Sequence, residues 1–173
     1  YIEADEQIRA QGAQFNTIVH ASSAGSTHAG LTLGRAISQA RTRIIGVIVA
    51  GEVYDDVPAN YLRLANEAAA LVAPEITIAP SDFEMTEDYL GEGYGQPAPG
   101  VTEAIDLMSR LEGIVVDPVY TAKAVAAIID MARSGTIDGP VLFWHTGGYH
   151  AIFDPNYTAS IWSSLPRLRE IRL

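Results

Sequence analysis

Cysteine is absent from the 173 residues. That excludes a disulfide scaffold, a thiolate nucleophile and thiolate-ligated zinc within them. The absence also agrees with a reducing compartment, and the cytoplasm is the expected location. Positive charge is scarce. Eleven Lys plus Arg stand against 21 Asp plus Glu, a net charge of −10, and no basic tract is present. A surface of that sign repels a polyanion, so no nucleic-acid role is expected. No apolar run approaches the ~20 residues that cross a bilayer, and no charged-then-apolar leader opens the chain, so neither membrane insertion nor secretion is expected. Four scattered histidines contain no His-x-x-x-His pair, and no metal is expected. His28, in the first turn of a helix, is expected to cap it or face solvent. Repeats, heptads and low-complexity stretches are missing as well.

What is present is a chain with 48% hydrophobic residues, enough for one domain with a real core. Residues 2–13 have a modest helical pattern that Gly12 ends. "FNTIVHA" is a short strand rich in β-branched residues. From Ser26 to Ala40, Ala29, Leu33, Ala36 and Ile37 recur at helical spacing, with Ser26 or Thr27 suited to cap the first turn. "RIIGVIVAG", from Arg43 to Gly51, is a second strand. Strand, helix and strand in this order predict a βαβ unit and a parallel sheet flanked by helices. Beyond it, the turn "DDVPAN" leads to a helix over Asn60–Val72, and "EITIAP" is a candidate strand. "FEMTEDYLGEGYGQPAPG" reads as loop because six Gly and Pro punctuate it. A helix over "VTEAIDLMSRLEG", a strand "IVVDPVY", a helix "TAKAVAAIIDMARSG" and a strand "PVLFWHTGG" complete the pattern.

Ligands of open α/β sheets sit beyond the carboxyl ends of the strands. Three segments gather there: "SSAGSTHAG", "DPVY" and "HTGG". In the first, Gly25 permits close backbone approach, and Ser26 and Thr27 place hydroxyls beside the free N–H groups of a helix N-terminus, which suits a phosphate. The loop lacks the lysine of a nucleotide phosphate loop and the Gly-x-Gly-x-x-Gly spacing of a dinucleotide fold. An ordinary capped βα turn has the same shape, and the motif alone does not choose between them. Taken singly, Tyr120 after "DP" reads as a packing residue, the "HTGG" of His145 and Thr146 as a turn, and the carboxylates of "TEDYLGEGYG" as a solvated face.

Together, "SSAGSTHAGL", "GYGQP…EAI", "EGIVVDPVYTAKA" and "VLFWHTGG" resemble the carboxyl-terminal half of the D-cysteine desulfhydrase and 1-aminocyclopropane-1-carboxylate deaminase family of pyridoxal-phosphate enzymes, over Phe15 to Gly148. The resemblance implies the tryptophan-synthase-β-like fold, called fold type II. It implies pyridoxal 5'-phosphate as cofactor, with Ala24, Gly25, Ser26 and Thr27 around its phosphate and Thr146 facing the pyridine nitrogen. Tyr94 and Tyr120 match the family's two active-site tyrosines. Deaminases of the cyclopropane type carry Glu after the "DPVY" tyrosine and "HLGG" for "HTGG". With Thr121 and Thr146, this chain is more similar to the desulfhydrase branch. A neutral hydroxyl supplies less charge to the ring nitrogen than a carboxylate, and losing a good β-leaving group needs less ring stabilisation than opening a carbon ring. Tyr149 and His150 stand where small residues or proline are expected.

The family's Schiff-base lysine precedes the matched region. Lys123, at the start of a helix where the family has a second lysine, is expected to be structural or at the surface. Residues 1–173 therefore read as the carboxyl-terminal portion of the enzyme, a partial chain inactive alone. Complete, it is expected to be a homodimer that converts a small amino acid to a 2-oxo acid, ammonia and sulfide. Alternatives are a cysteate sulfo-lyase or 1-aminocyclopropane-1-carboxylate deaminase within the class and, outside it, a non-catalytic module that binds a phosphorylated ligand or a partner subunit. A structural subunit using its exposed sheet edge is a further reading.

Overall fold

A computed structural model describes residues 1–50 and 56–164. Gly51, at the end of the expected second strand, and Asp55 of "DDVPAN" lie outside the described residues. The elements are α1 (Ile2–Ala10), β1 (Thr17–Ser22), α2 (Ser26–Ile37), β2 (Arg43–Ile48), α3 (Val57–Val72), β3 (Glu84–Thr86), α4 (Val101–Leu107), α5 (Thr121–Ser134), β4 (Val141–Trp144) and α6 (Pro155–Ser164). A π-helical turn, Met108–Glu112, extends α4, and a 3₁₀ turn, Tyr149–Phe153, follows β4.

Among the described residues, four strands form one sheet in the order β3-β2-β1-β4, every neighbouring pair parallel. All six residues of β1 are buried, as expected of a central strand covered on both faces. Side chains alternate. Ile18 and Ile44 pack with Leu31 of α2, and Ile48 packs with Val57 and Tyr61 of α3. Val19, Ala21, Ile45 and Val47 enter the larger core with Ala104 and Ile105 of α4 and Val125 of α5. From β1 the chain steps outward to β2 and β3, and β4 then lies on β1's other side. The carboxyl ends of β1 and β4 thus flank a topological switch point, where open α/β sheets bind ligands.

The structure corrects two helix starts and two strand assignments. The N-cap of α2 is Gly25, at φ 93°, and Ser26 and Thr27 lie inside the helix. α3 starts at Val57 because Asp56 accepts the Ala59 N–H at 3.0 Å and Pro58 suits the first turn. "EITIAP" is not a strand: Asn66 of α3 accepts the N–H of Ile78 and donates to its carbonyl, both at 3.0 Å, occupying groups a ladder would use. The third strand instead falls at Glu84–Thr86, in the segment read as loop. "IVVDPVY" is not a strand either. His145 takes the Val115 carbonyl at 2.8 Å, and Asp117 takes the amides that follow.

Candidate active site

The loop after β1 and the loop after β4 enclose a pocket of about 290 Å³, lined by residues 21–27, Tyr120, Thr146, Gly147, Gly148 and His150. That volume is at the lower end of small-molecule sites. Six of the seven residues singled out in the sequence line it: Ala24, Gly25, Ser26, Thr27, Tyr120 and Thr146. The seventh, Tyr94, reaches Tyr120 through a hydroxyl–hydroxyl hydrogen bond, with the rings edge to face at 5.9 Å between centroids.

The β1 loop is held from below by α3. The Tyr61 hydroxyl donates to the Ser23 carbonyl at 3.0 Å, so the Ser22 hydroxyl, 2.7 Å away, donates to Tyr61. Asn60 Nδ2 donates to the Ala24 carbonyl at 2.9 Å. A Cβ at Gly25 would overlap the Tyr61 ring, and its φ is left-handed, so both the turn and the close approach require glycine. Because Gly25 has no capping side chain, the first amides of α2 have no intrahelical acceptor and, among the described residues, no side-chain cap. A helix N-terminus of this kind suits an anion.

The opposite wall is built around Asp117. Fully buried, its carboxylate accepts the N–H groups of Val119, Tyr120 and Thr121, each at 2.9 Å, and the Thr121 hydroxyl at 2.6 Å. This fixes Tyr120 at the start of α5. A Cβ on Gly148 would come within 2.5 Å of Asp117 Oδ1, which brings the glycines after β4 against the same carboxylate. Burial, and then the bond from Tyr94, push the Tyr120 phenol well above its ordinary value, and the nearby Asp117 and Tyr157 act in the same direction. Tyr120 therefore keeps its proton throughout the neutral range.

Several residues behave differently from their sequence reading. His28 neither caps α2 nor meets solvent; it is fully buried against His20, Tyr61 and Phe83. His145 braces the loop from outside the pocket lining. It donates from Nε2 to the Val115 carbonyl and accepts the Gly147 N–H at Nδ1, at 3.1 Å. Thr121 turns to Asp117, so of the two threonines only Thr146 borders the pocket. Lys123 is not at the surface but fully buried, with Nζ donating to the Leu90 carbonyl at 2.6 Å. Asp117 was legible as an Asp-Pro turn with Thr four residues on. Tyr61 and Asn60 carried no signal, since they arrive from a helix 36 to 39 residues away.

Residues 2–147 match the family model described as "pyridoxal-phosphate dependent enzyme". The chain belongs to that family. It is 37% identical over 158 residues to a D-cysteine desulfhydrase of Yersinia enterocolitica and 36% identical to one of Salmonella paratyphi C; each match covers 88% of this chain and 47% of the relative. A crystal structure of an ACC deaminase homologue superposes with a TM-score of 0.78 at 34% identity, over 95% of this chain and 49% of that one. The chain thus spans about half the length of these relatives. The parallel sheet with its flanking helices is that of a fold type II enzyme.

The residues present fit the family's cofactor. The amide cradle at Gly25–Thr27 suits a phosphate, and Thr146 and Tyr120 stand across the pocket as neutral hydroxyl groups. The covalent link to lysine is not provided by Lys123, which lies outside the lining and is engaged at Leu90.

Proposed function

We propose that this chain is the phosphate-holding, tyrosine-bearing part of a pyridoxal-phosphate-dependent lyase of the D-cysteine desulfhydrase kind. Its reaction is β-elimination from a small amino acid, giving a 2-oxo acid, ammonia and sulfide. One observation carries this reading: the amide cradle of α2, the Thr146 hydroxyl and the Tyr94–Tyr120 pair converge on a single pocket at the switch point of the sheet. The similarity to two D-cysteine desulfhydrases supports the same chemistry.

When bound, the cofactor supplies an electron sink for the bonds at the substrate's Cα. The α2 amides, Ser26 and Thr27 hold its phosphate. Thr146 would offer the cofactor ring a neutral hydroxyl rather than a carboxylate, which suits loss of a good leaving group. Tyr120, which burial keeps protonated, can donate its hydroxyl proton to a departing thiolate once that hydroxyl turns from Tyr94 to the leaving group, Tyr94 then donating to the Tyr120 oxygen. The covalent lysine comes, in this proposal, from the part of the complete enzyme matching the half of the relatives' length that this chain does not span. A module that merely binds a phosphorylated ligand would need the cradle but gives no reason for a paired phenol opposite it. A homodimeric complete enzyme and a cytoplasmic location belong to the same proposal; the absence of cysteine agrees with the latter.

The test is to purify the complete protein, record its visible spectrum, and assay D- and L-cysteine for release of pyruvate and sulfide. Yellow protein with stereoselective release is the expected result. Colourless, inert protein defeats the proposal.

A further inference from the structure

We infer that Lys123 is a positioning residue that sets Tyr94 against Tyr120. The inference rests on the reading above, in which the two phenols face the reaction. A lysine in the first turn of a helix ordinarily extends to water, and withdrawing its charge is costly unless the ammonium is bonded. Lys123 is nevertheless fully buried, and its Nζ donates a charge-assisted bond to the Leu90 carbonyl.

Leu90 is the last residue before the turn that carries Tyr94. Gly91, Gly93 and Gly95 in that turn have φ of 74°, 147° and 71°, and a chain of this composition needs outside anchors to hold one shape. Lys123 is one anchor. A second lies seven residues further along α5, two helical turns on the same face: Asp130 Oδ2 accepts the Tyr89 hydroxyl at 2.7 Å. A third is the Tyr157 ring, against which a Cβ on Gly95 would come within 2.5 Å. Tyr120 is the N-cap of α5, so one helix fixes one phenol at its start and ties down the carrier of the other from its flank. Lys123 therefore serves the reaction without touching the cofactor.

The experiment uses K123M, K123R and Y89F in the complete, cofactor-loaded protein. The readouts are kcat and KM with the best amino-acid substrate, and the phenol titration of each variant minus that of its Y120F counterpart. K123M is expected to lower kcat about ten- to a hundredfold, the scale of a small misplacement of reacting groups, with a much smaller change in KM, and to move the Tyr120 titration to lower pH. K123R recovers part of both effects, and Y89F gives a weaker version of each. If K123M does not fold, Y89F and K123R decide by the same titration. A folded K123M with an unshifted Tyr120 titration and kcat within twofold of wild type overturns the inference, and if K123M does not fold, an unshifted titration in both Y89F and K123R does so. Were the lyase proposal itself wrong, wild type would already lack turnover, while the titration would still report whether Lys123 sets the pair.

Discussion

Asp117 Oδ2 accepts the backbone N–H of Tyr120 at 2.9 Å, and the same oxygen accepts that of Val119 at the same distance. Oδ1 accepts the amide and hydroxyl of Thr121, so the head of α5 rests on a carboxylate with both oxygens turned toward the chain. Asp117→Asn keeps the size but replaces one acceptor with a donor that faces donors. The expected loss is about 1–3 kcal/mol of stability, the usual cost of stranding a buried polar group, and a fall in kcat that exceeds the rise in KM. Urea unfolding and steady-state kinetics of the complete protein check both. Unchanged stability would mean that the amides find other acceptors and that Asp117 is dispensable.

Gly25 and Ser26 separate backbone from side-chain binding. Gly25→Ala forces a Cβ toward the Tyr61 ring at a left-handed φ, a conformation that costs an L-residue about 1–2 kcal/mol before any overlap is counted. The loop must move, and the amides move with it. Ser26→Ala removes one hydroxyl and leaves every amide in place. Cofactor retention, followed by absorbance after dialysis, is therefore expected to fall sharply in Gly25→Ala and only slightly in Ser26→Ala. The reverse order would show that hydroxyls, not the helix N-terminus, hold the phosphate.

Much of this site was legible because its parts are local. A glycine at the strand–helix junction and two hydroxyls in the first helical turn mark the β1–α2 loop within four residues, β-branched runs mark β1 and β2, and an apolar run marks β4. The misread segments share a different cause. At Ile78 and Val115 the backbone looks like strand, but Asn66 and His145 supply its hydrogen bonds from 12 and 30 residues away. No pattern within a short window reveals a ladder replaced by a side chain. Burial of Lys123 and His28 was hidden for the same reason: each is covered by elements distant in sequence.

Tyr120→Phe removes the hydroxyl and leaves the ring, the Asp117 bonds and the start of α5 intact. Turnover is expected to fall at least about tenfold, within the range that a positioned proton donor contributes, while cofactor retention stays near that of wild type. Since the phenol is held well above its usual value, it contributes no inflection to the rate profile near neutral pH. Any alkaline limb it gives lies well above the ordinary phenol range, and the variant lacks it. An unchanged rate would remove Tyr120 from the reaction and leave Tyr94 as the remaining candidate acid.

The buried pair His20 and His28 makes stability sensitive to mild acid. His20 Nδ1 lies 2.9 Å from the Ala21 carbonyl and must donate to it, so its Nε2 accepts from His28 Nδ1 at 3.2 Å. The last nitrogen, His28 Nε2, is buried with no partner among the described residues. Both rings are therefore neutral. Burial pushes His20 down to about 4, and burial, followed by the charges of His20 and Arg35, pushes His28 down to about 3. The unfolded chain takes up these protons near pH 6.5, where the folded chain refuses them. Stability is thus intact above pH 6.5, falls as pH drops from there toward 4 and 3, and loses nothing more from these groups below that range. Each unit of difference is worth about 1.4 kcal/mol per histidine. Ordinary carboxylates titrate below pH ~4.5, so the interval from 6.5 to 5 isolates the pair. Urea midpoints should fall steadily across it, and a flat profile between pH 7.5 and 5 would mean that the rings exchange with water or gain a bonded partner when protonated.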